Sequence, residues 1–182
     1  IGGESTRPFS EPVSFDEEIS RVIPVIEGIR KNSDVCISID TTKSKVALAA
    51  LESGASFIND ISAMEIDPAM VNVALKFDCP LVLMHMKGKP KNMQDNPLYK
   101  SLINDIKNYL LERVDFAISK GVDSKKIIID PGIGFGKTVE NNFEIINNLE
   151  QFVEMKLPVL LGASRKSFIG VTLNLPEKER ME

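Results

Sequence analysis

Histidine and cysteine are scarce in this sequence, which has one histidine, His85, and two cysteines, Cys36 and Cys79. A zinc site needs several such ligands at short spacings, and neither the lone histidine nor the separated cysteines provide them. Both cysteines lie beside or within apolar, strand-like runs. We therefore expect no zinc site in this chain, and buried free thiols in a reducing compartment, which favours the cytoplasm.

Long apolar runs and blocks of basic charge are also missing. No run in the sequence approaches the ~20 apolar residues that a membrane span requires, and the first residues do not resemble a signal peptide. The 22 basic and 26 acidic residues are mixed along the chain and give a net charge of -4. Nucleic-acid-binding proteins carry a basic patch or stripe instead. We expect a soluble protein that binds neither nucleic acid nor membranes.

The sequence has the composition and the periodicity of a globular α/β protein. Hydrophobic residues occupy 43% of its 182 positions, enough for the core of one domain, which we place at 1–182. Helix-length segments alternate with five short apolar runs, at 35–40, 56–62, 80–86, 126–132 and 158–164. Such runs, each ending in polar residues, are typical of strands buried on both faces of a parallel sheet.

Two parallel architectures fit this order, an open doubly wound sheet and a (β/α)8 barrel. A nucleotide-binding open sheet carries its glycine fingerprint in the first strand-to-helix turn, whereas the glycine cluster DPGIGFGKT comes late, at 130–138. This cluster also lacks the spacing of a phosphate-binding loop. The barrel is therefore favoured. Because a barrel usually needs ~250 residues, we interpret the chain as an incomplete central portion of a TIM barrel, truncated at both ends, with about five whole strands.

Polar residues at the ends of the predicted strands indicate a binding site, because the carboxyl ends of barrel strands form one mouth. These segments are Asp40-Thr41-Thr42, Asn59-Asp60, His85-Met86-Lys87, Asp130-Pro131-Gly132 and Ser164-Arg165-Lys166-Ser167. Each has a structural alternative: Asp40 or Thr42 could cap a helix, Asn59 or Asp60 could form a turn, and His85 could be a packed side chain. A carboxylate, an amide and a cation at successive strand ends favour function over these alternatives.

The residue types at these positions suit a particular ligand. Asp40, Asn59 and Asp130 would supply acceptors and an amide to one pocket, as a flat heterocycle with several N–H donors requires. Arg7 and Lys166 would supply cations, as an anionic group requires. We expect a polar planar ring that carries or meets a negative group.

Six ordered segments resemble the dihydropteroate synthase family over the whole chain: GGESTRP, IDTTKSKVA, INDIS, LMHMKG, DPGIGFGK and LGASRKSFIG. The resemblance implies a barrel enzyme that joins 6-hydroxymethyl-7,8-dihydropterin pyrophosphate to p-aminobenzoate, giving dihydropteroate and pyrophosphate. It also implies Mg²⁺ as cofactor, a homodimer when the protein is complete, and a sulfonamide target. The usual metal ligand and part of the pyrophosphate site are expected outside these 182 residues.

The same resemblance implies roles for individual residues. The residues that would hold the pterin are Asp40, Asn59, Ile61, Met84, Asp130 and Lys166. Those that would bind p-aminobenzoate are Thr6, Arg7, Pro8, Phe135 and Ser167, of which the first three belong to a loop that closes over the amine. Asp40, Asp130 and Lys166 would act in catalysis, the two carboxylates by stabilising a cationic pterin. Phe9 departs from the glycine that is common in the family at this loop position.

Two other functions fit part of the pattern. Methyltetrahydrofolate corrinoid methyltransferases resemble this sequence at the positions of Asp40, Asn59 and Asp130, but the segments ESTRP and SRKS favour dihydropteroate synthase. A non-catalytic pterin-binding module is the other alternative. The flanking sequence would distinguish them, because a complete enzyme must supply the missing first and last strands.

Overall fold

The computed structural model, which describes residues 1–7, 10–88, 90–94 and 97–180, is an α/β fold around a parallel sheet. The strands are β1 (Ser38–Asp40), β2 (Phe57–Asp60), β3 (Leu81–Met84) and β4 (Ile127–Asp130). The helices are α1 (Phe15–Arg30), α2 (Ser44–Glu52), α3 (Met70–Phe77), α4 (Leu102–Ser119), α5 (Val139–Asn147), α6 (Leu149–Val153) and α7 (Ser167–Leu173). Short 3-10 turns occupy Ser124–Lys126 and Glu177–Glu179.

The strands lie in the order β1-β2-β3-β4, and each neighbouring pair is parallel. Successive strands are thus added to the same edge of the sheet. An open doubly wound sheet instead reverses direction at a switch point, where its ligand binds. The unreversed order, with helices between the strands, is the progression that closes into a barrel.

The predicted fifth strand is reduced to a single bridge. Val159 pairs with Ile129 of β4 in parallel, and Leu160 N donates to Ile129 O at 2.8 Å. A second isolated bridge joins Gly2 to Asp40 at the other edge of the sheet. The described residues therefore contain four strands and not about five, because the run at 158–164 pairs with β4 only through Pro158 and Leu160, which bond to Ile129, and β4 ends one residue later at Asp130.

The two faces of the sheet have different chemistry. Ile39, Ile58, Leu81 and Ile127 align across the four strands and are all 0% exposed. They belong to the main core together with buried residues of the helices, such as Ile106 of α4. Because side chains alternate along a strand, the residues between them point to the opposite, inner face, where the polar strand ends lie.

Helix boundaries follow local capping. Ser14 Oγ accepts a hydrogen bond from Glu17 N at 3.2 Å, as the sequence pattern predicts for the start of α1. Thr138 and Asn141 form a capping box at the start of α5, directly after the glycine cluster. None of the described helices is long and apolar enough to cross a membrane.

Candidate functional site

Three polar side chains and one apolar side chain of the inner face come together at the carboxyl edge of the sheet. Asp40 pairs in register with Asn59, and Met84 pairs with Asp130. Asn59 is aligned with Val82, two residues before Met84, so all four of these side chains share one face. The structure therefore brings Asp40, Asn59, Met84 and Asp130 together, as their positions at strand ends predict.

Asp130 is a buried carboxylate, 5% exposed, at the end of β4. Its Oδ1 accepts a hydrogen bond from Gly132 N at 2.7 Å. Burial raises the pKa of Asp130 from 3.8 to about 6, while this hydrogen bond and the charges of Lys166 and Lys137 oppose the rise. Asp130 is thus a charge held out of water and ready to accept hydrogen bonds from a ligand.

Asp40 and Asn59 present buried oxygens toward the same place. Asp40 Oδ1 and Asn59 Oδ1 are shielded from solvent and have no hydrogen-bond partner among the described residues. Burial raises the pKa of Asp40 to about 6, and the charges of Asp60 and Glu18 add to the rise. A buried polar atom without a partner costs about 1–3 kcal/mol, which a ligand that donates to it recovers. These two oxygens are therefore available to accept hydrogen bonds.

Lys166 lies between these carboxylates and an aromatic ring. Its Nζ is 4.1 Å from the ring centroid of Phe135. Burial lowers the pKa of Lys166, and the nearby charges of Asp130 and Asp40 act in the opposite direction. The ammonium thus neutralises part of the negative charge of the pocket and borders both the polar and the aromatic side of the site.

A small apolar cluster lies next to the acceptors, separate from the main core. It consists of Ile61, Met84, Met86, Met93 and Phe135, all of which are buried. Ile61 and Met84, both predicted as pterin contacts, are members. Thioether and alkyl side chains of this kind pack well against a flat ring, so the acceptors and this cluster together suit a polar heterocycle.

An open cavity of about 560 Å³ adjoins this cluster. Its lining includes Thr6, Arg7, Phe135 and Ser167, which the sequence predicts for the amine side of the site, together with Lys166, which it predicts for the pterin. Ser164, Arg165 and Arg180 also line it, and Arg180 was missed because no motif marks it. Pro8, the remaining predicted amine contact, and Phe9 lie outside the described residues.

The glycine cluster is shaped by its contacts with the end of β3. Gly132 has φ +73°, and a Cβ there would lie 1.9 Å from the carbonyl oxygen of His85. Only glycine fits this left-handed, tightly packed position. The loop that carries Phe135 is thereby held against the main chain that follows Met84.

A buried lysine behind this loop was missed by sequence reasoning. Lys137 is 3% exposed, and its Nζ lies 2.9 Å from His85 Nδ1 and 3.0 Å from Phe135 O. Burial lowers the pKa of Lys137 to about 7, and burial next to Lys137 also lowers the pKa of His85. His85 packs edge-on against Tyr109, with ring centroids 4.9 Å apart. His85 is therefore a packed residue, one of the alternatives left open by the sequence.

Asp60, next to Asn59, has a structural role. It is 0% exposed on the helix side of the sheet, where its Oδ1 accepts from Ser62 N at 2.8 Å and its Oδ2 from Met64 N at 2.8 Å. Asp60 thus organises the turn after β2, while Asn59 faces the site. Helix α2 begins after Lys43 without a side-chain cap, so neither Asp40 nor Thr42 has the capping role considered above.

Known proteins with the same fold and sequence pattern are pterin enzymes. The whole chain, residues 1–182, matches the family described as pterin binding enzyme. Dihydropteroate synthase of Clostridium beijerinckii is 52% identical over 182 residues, which are 100% of this chain and 65% of that protein.

Solved structures agree with the sequence relatives. Yersinia pestis dihydropteroate synthase, in a sulfonamide drug complex, has a TM-score of 0.95 and 40% identity, covering 98% of this chain and 65% of that one. Xanthomonas albilineans dihydropteroate synthase with 4-aminobenzoic acid has a TM-score of 0.92 and 39% identity, covering 99% and 64%. The chain thus spans about 65% of these relatives. Because the neighbours are TIM barrels, the predicted fold class is confirmed: the four strands are part of such a barrel.

Proposed function

The chain belongs to the pterin binding enzyme family, and on this basis we propose that it is the central part of a dihydropteroate synthase. The complete protein would condense 6-hydroxymethyl-7,8-dihydropterin pyrophosphate with p-aminobenzoate, a transferase reaction of folate biosynthesis. Each of the three relatives compared above is a dihydropteroate synthase. We therefore retain neither the corrinoid methyltransferase nor the non-catalytic module as a second candidate.

One observation carries the proposal: buried acceptors and an aromatic-lined cavity lie side by side at one edge of the sheet. Asp40, Asn59 and Asp130 face the inner side, and the cavity next to them is lined by Thr6 and Phe135. The first part suits the N–H groups of a pterin and the second suits a small aromatic amine. Two substrates of different polarity thus have adjacent, differently built subsites.

In the pterin subsite, Asp130 accepts hydrogen bonds from the ring nitrogen and amino group, and Asn59 and Asp40 accept from the remaining donors. Ile61 and Met84 cover the ring. As pyrophosphate leaves, positive charge develops on the pterin. The carboxylates of Asp40 and Asp130 stabilise this charge, because they are fixed in place and shielded from water before the reaction begins.

In the amine subsite, Phe135 and Ser167 contact the ring of p-aminobenzoate, and Arg7 pairs with the carboxylate of this substrate. Lys166 borders both subsites, since its Nζ lies over the ring of Phe135 and the charges of Asp130 and Asp40 act on it. It holds the pterin on one side and orients the amine on the other. Thr6 and Arg7 belong to a segment that closes over the amine.

We further propose that the complete protein is a cytoplasmic homodimer and a sulfonamide target that uses Mg²⁺. The described residues contain no group of three or more His, Cys, Asp or Glu side chains placed to hold a metal ion. We assign the chain's own residues no metal ligand. The metal ligand belongs to the remainder of the complete protein.

Turnover by the complete protein tests this function. Protein that includes the flanking sequence should release pyrophosphate only when both the pterin substrate and p-aminobenzoate are present. The 182-residue chain alone should release none, because the pyrophosphate site is completed elsewhere. Absence of release by the complete protein, together with binding of a cobalamin protein, would instead identify a corrinoid methyltransferase. Equal rates for both proteins would refute our account of the missing part.

Replacing Arg7 with alanine in the complete protein should affect the two substrates differently. Arg7 lines the cavity on the amine side and is not among the proposed pterin contacts. We expect binding of the pterin substrate to be nearly unchanged, and capture of p-aminobenzoate to weaken by about 1–3 kcal/mol through loss of one charge-assisted contact. Titration of each substrate by calorimetry measures both effects. Equal losses for the two substrates would contradict the assignment of Arg7 to the amine side.

A further inference from the structure

We propose that Lys43 is a positioning residue for the amine subsite, acting through the opening segment, residues 1–7. Its ammonium is held between the carboxylates of Glu4 and Glu18. This inference rests on the proposed function, because it concerns which of the two substrates the opening segment serves. Neither Glu4, Glu18 nor Lys43 is a proposed substrate contact.

The ion cluster joins three parts of the fold that are distant in sequence. Lys43 Nζ lies 2.6 Å from Glu18 Oε2 and 2.5 Å from Glu4 Oε2. Glu4 belongs to the opening segment, Glu18 to the first turn of α1, and Lys43 to the residue that precedes α2. Lys43 therefore forms an ionic bridge between the opening segment and α1. Arg21 of α1 forms a second link, since its Nη1 donates to Gly3 O at 2.7 Å.

Glu4 also fixes the two ends of the segment that carries Thr6 and Arg7. Its Oε2 accepts a hydrogen bond from Val13 N at 3.0 Å, directly before α1 begins. The neighbouring Gly3 packs so closely on α1 that a Cβ would lie 2.9 Å from Glu18 Cγ. Glu4 thus holds the base of the segment, and Lys43 attaches that base to the rest of the fold.

Burial makes this attachment depend on the positive charge. Glu18 is 0% exposed, and its Oε1 has no hydrogen-bond partner among the described residues. Burial opposes the charged form of Lys43, yet hydrogen bonds to Glu18 and Glu4 raise its pKa. Without Lys43, the carboxylates of Glu4 and Glu18 would face each other in surroundings of low polarity and would repel each other. The repulsion would displace Glu4, because it is the more exposed of the two.

The position of the cluster indicates which substrate is affected. A small cavity of about 50 Å³ is lined by Glu4, Glu18 and Lys43 together with Thr6 and Asp40. Asp40 is held on one side by its pairing with Asn59 and on the other by its bridge to Gly2, which precedes Glu4, whereas Thr6 follows Glu4 by two residues. Displacement of Glu4 therefore moves Thr6 and Arg7, while Asn59 and Asp130 remain in the sheet.

The first test compares the two substrates in the complete protein. Lys43→Met should raise the KM for p-aminobenzoate about tenfold and change the Kd of the pterin substrate by less than about threefold. Lys43→Arg, which restores the charge, should recover most of the loss. Lys76→Met, which breaks an exposed pair with Glu52, is the matched control and should change neither value. Equal losses for both substrates, or no loss, would overturn the proposal.

A second measurement does not depend on turnover and so separates this inference from the proposed function. A nitroxide label on Ser5→Cys, with Cys36→Ser and any cysteines outside this chain replaced, reports the mobility of the opening segment. Cys36 is replaced because it is exposed, so the expectation of two buried thiols is wrong for it: it precedes β1 and lies outside the sheet. Cys79 does not compete, because it is buried and burial raises its pKa. Lys43→Met should increase the mobility of the label, and Lys43→Arg should not. Unchanged mobility in Lys43→Met would overturn the positioning role even if the wild-type protein has no synthase activity.

Discussion

Asp130→Ala in the complete protein should abolish measurable binding of the pterin substrate. Asp130 is 5% exposed, and loss of one partner from a buried, charge-assisted pair costs about 2–5 kcal/mol. Calorimetric titration at pH 7.5 measures the effect. Asp123→Ala is a matched control, because Asp123 is an exposed aspartate that caps the 3-10 turn before β4. If Asp130→Ala bound the pterin substrate as tightly as wild type, Asp130 would have no role in pterin binding. Its only role would then be to accept the hydrogen bond from Gly132 N.

The pH dependence of this binding follows from the same carboxylate. Burial raises the pKa of Asp130 to about 6 in the free chain. Ligand N–H groups favour the ionised form, so affinity for the pterin substrate should be full above pH 7 and fall as the pH drops through about 6. Asp40, whose pKa burial also raises to about 6, adds to the fall. Affinity that is constant from pH 5 to 8 would contradict the role of both carboxylates.

Stability provides a check that the Asp130 variants act on binding and not on folding. Because the folded-state pKa is raised, the contribution of Asp130 to stability is fully present below its unfolded value of 3.8 and is lost as the pH rises through about 6. Asp130→Asn, which keeps an acceptor for Gly132 N, should therefore gain stability relative to wild type between pH 5 and 8. Thermal unfolding of both proteins at pH 5 and at pH 8 measures this difference in stability.

Gly132→Ala should remove both stability and pterin binding. The new Cβ would lie 1.9 Å from the His85 carbonyl oxygen, at a residue with φ +73°. The obstacle is main chain that is itself fixed, since His85 N donates to Asp130 O at 2.9 Å. Left-handed strain and the clash together should cost at least about 3 kcal/mol of the free energy of unfolding. The same shift would move Gly132 N away from Asp130, so the acceptor for the pterin would lose its orientation.

Chemical denaturation of Gly132→Ala and of a second glycine variant separates this effect from a general cost of alanine. Gly28 lies within α1, and a Cβ there would meet nothing within 4 Å. Gly28→Ala should therefore be neutral or gain about 0.5–1 kcal/mol, because alanine is the better helix former. If Gly132→Ala were as stable as wild type, the tight contact with His85 would not hold the loop in solution.

The sequence predicted the features that depend on neighbouring residues. The alternation of apolar runs with helical segments predicts the four parallel strands, and the capping pattern at Ser14 marks the start of α1. These features are predictable because strand and helix periodicity, and capping, are set within a few residues. The fifth apolar run was wrongly predicted to be a whole strand. An apolar run does not show how far the neighbouring strand continues alongside it.

The orientation of adjacent strand-end residues needed the sheet register. Asn59 and Asp60 follow one another, so they must lie on opposite faces of β2. The sequence analysis placed Asn59 in the site, but strand periodicity alone does not say which face of β2 is the inner one. Pairing of Asn59 with Asp40 puts the amide on the inner face and buries Asp60 in the turn after β2.

By itself, then, the sequence determined the α/β class, the strand ends at which the site forms and the family to which they point. Only the tertiary structure decided which charged groups meet: Lys137 with His85, 52 residues away, and Lys43 with Glu18 and Glu4, 25 and 39 residues away. The physical reason is that a buried charge must find a partner wherever the fold brings one. No local pattern encodes such a partner, because its position depends on the packing of whole strands and helices.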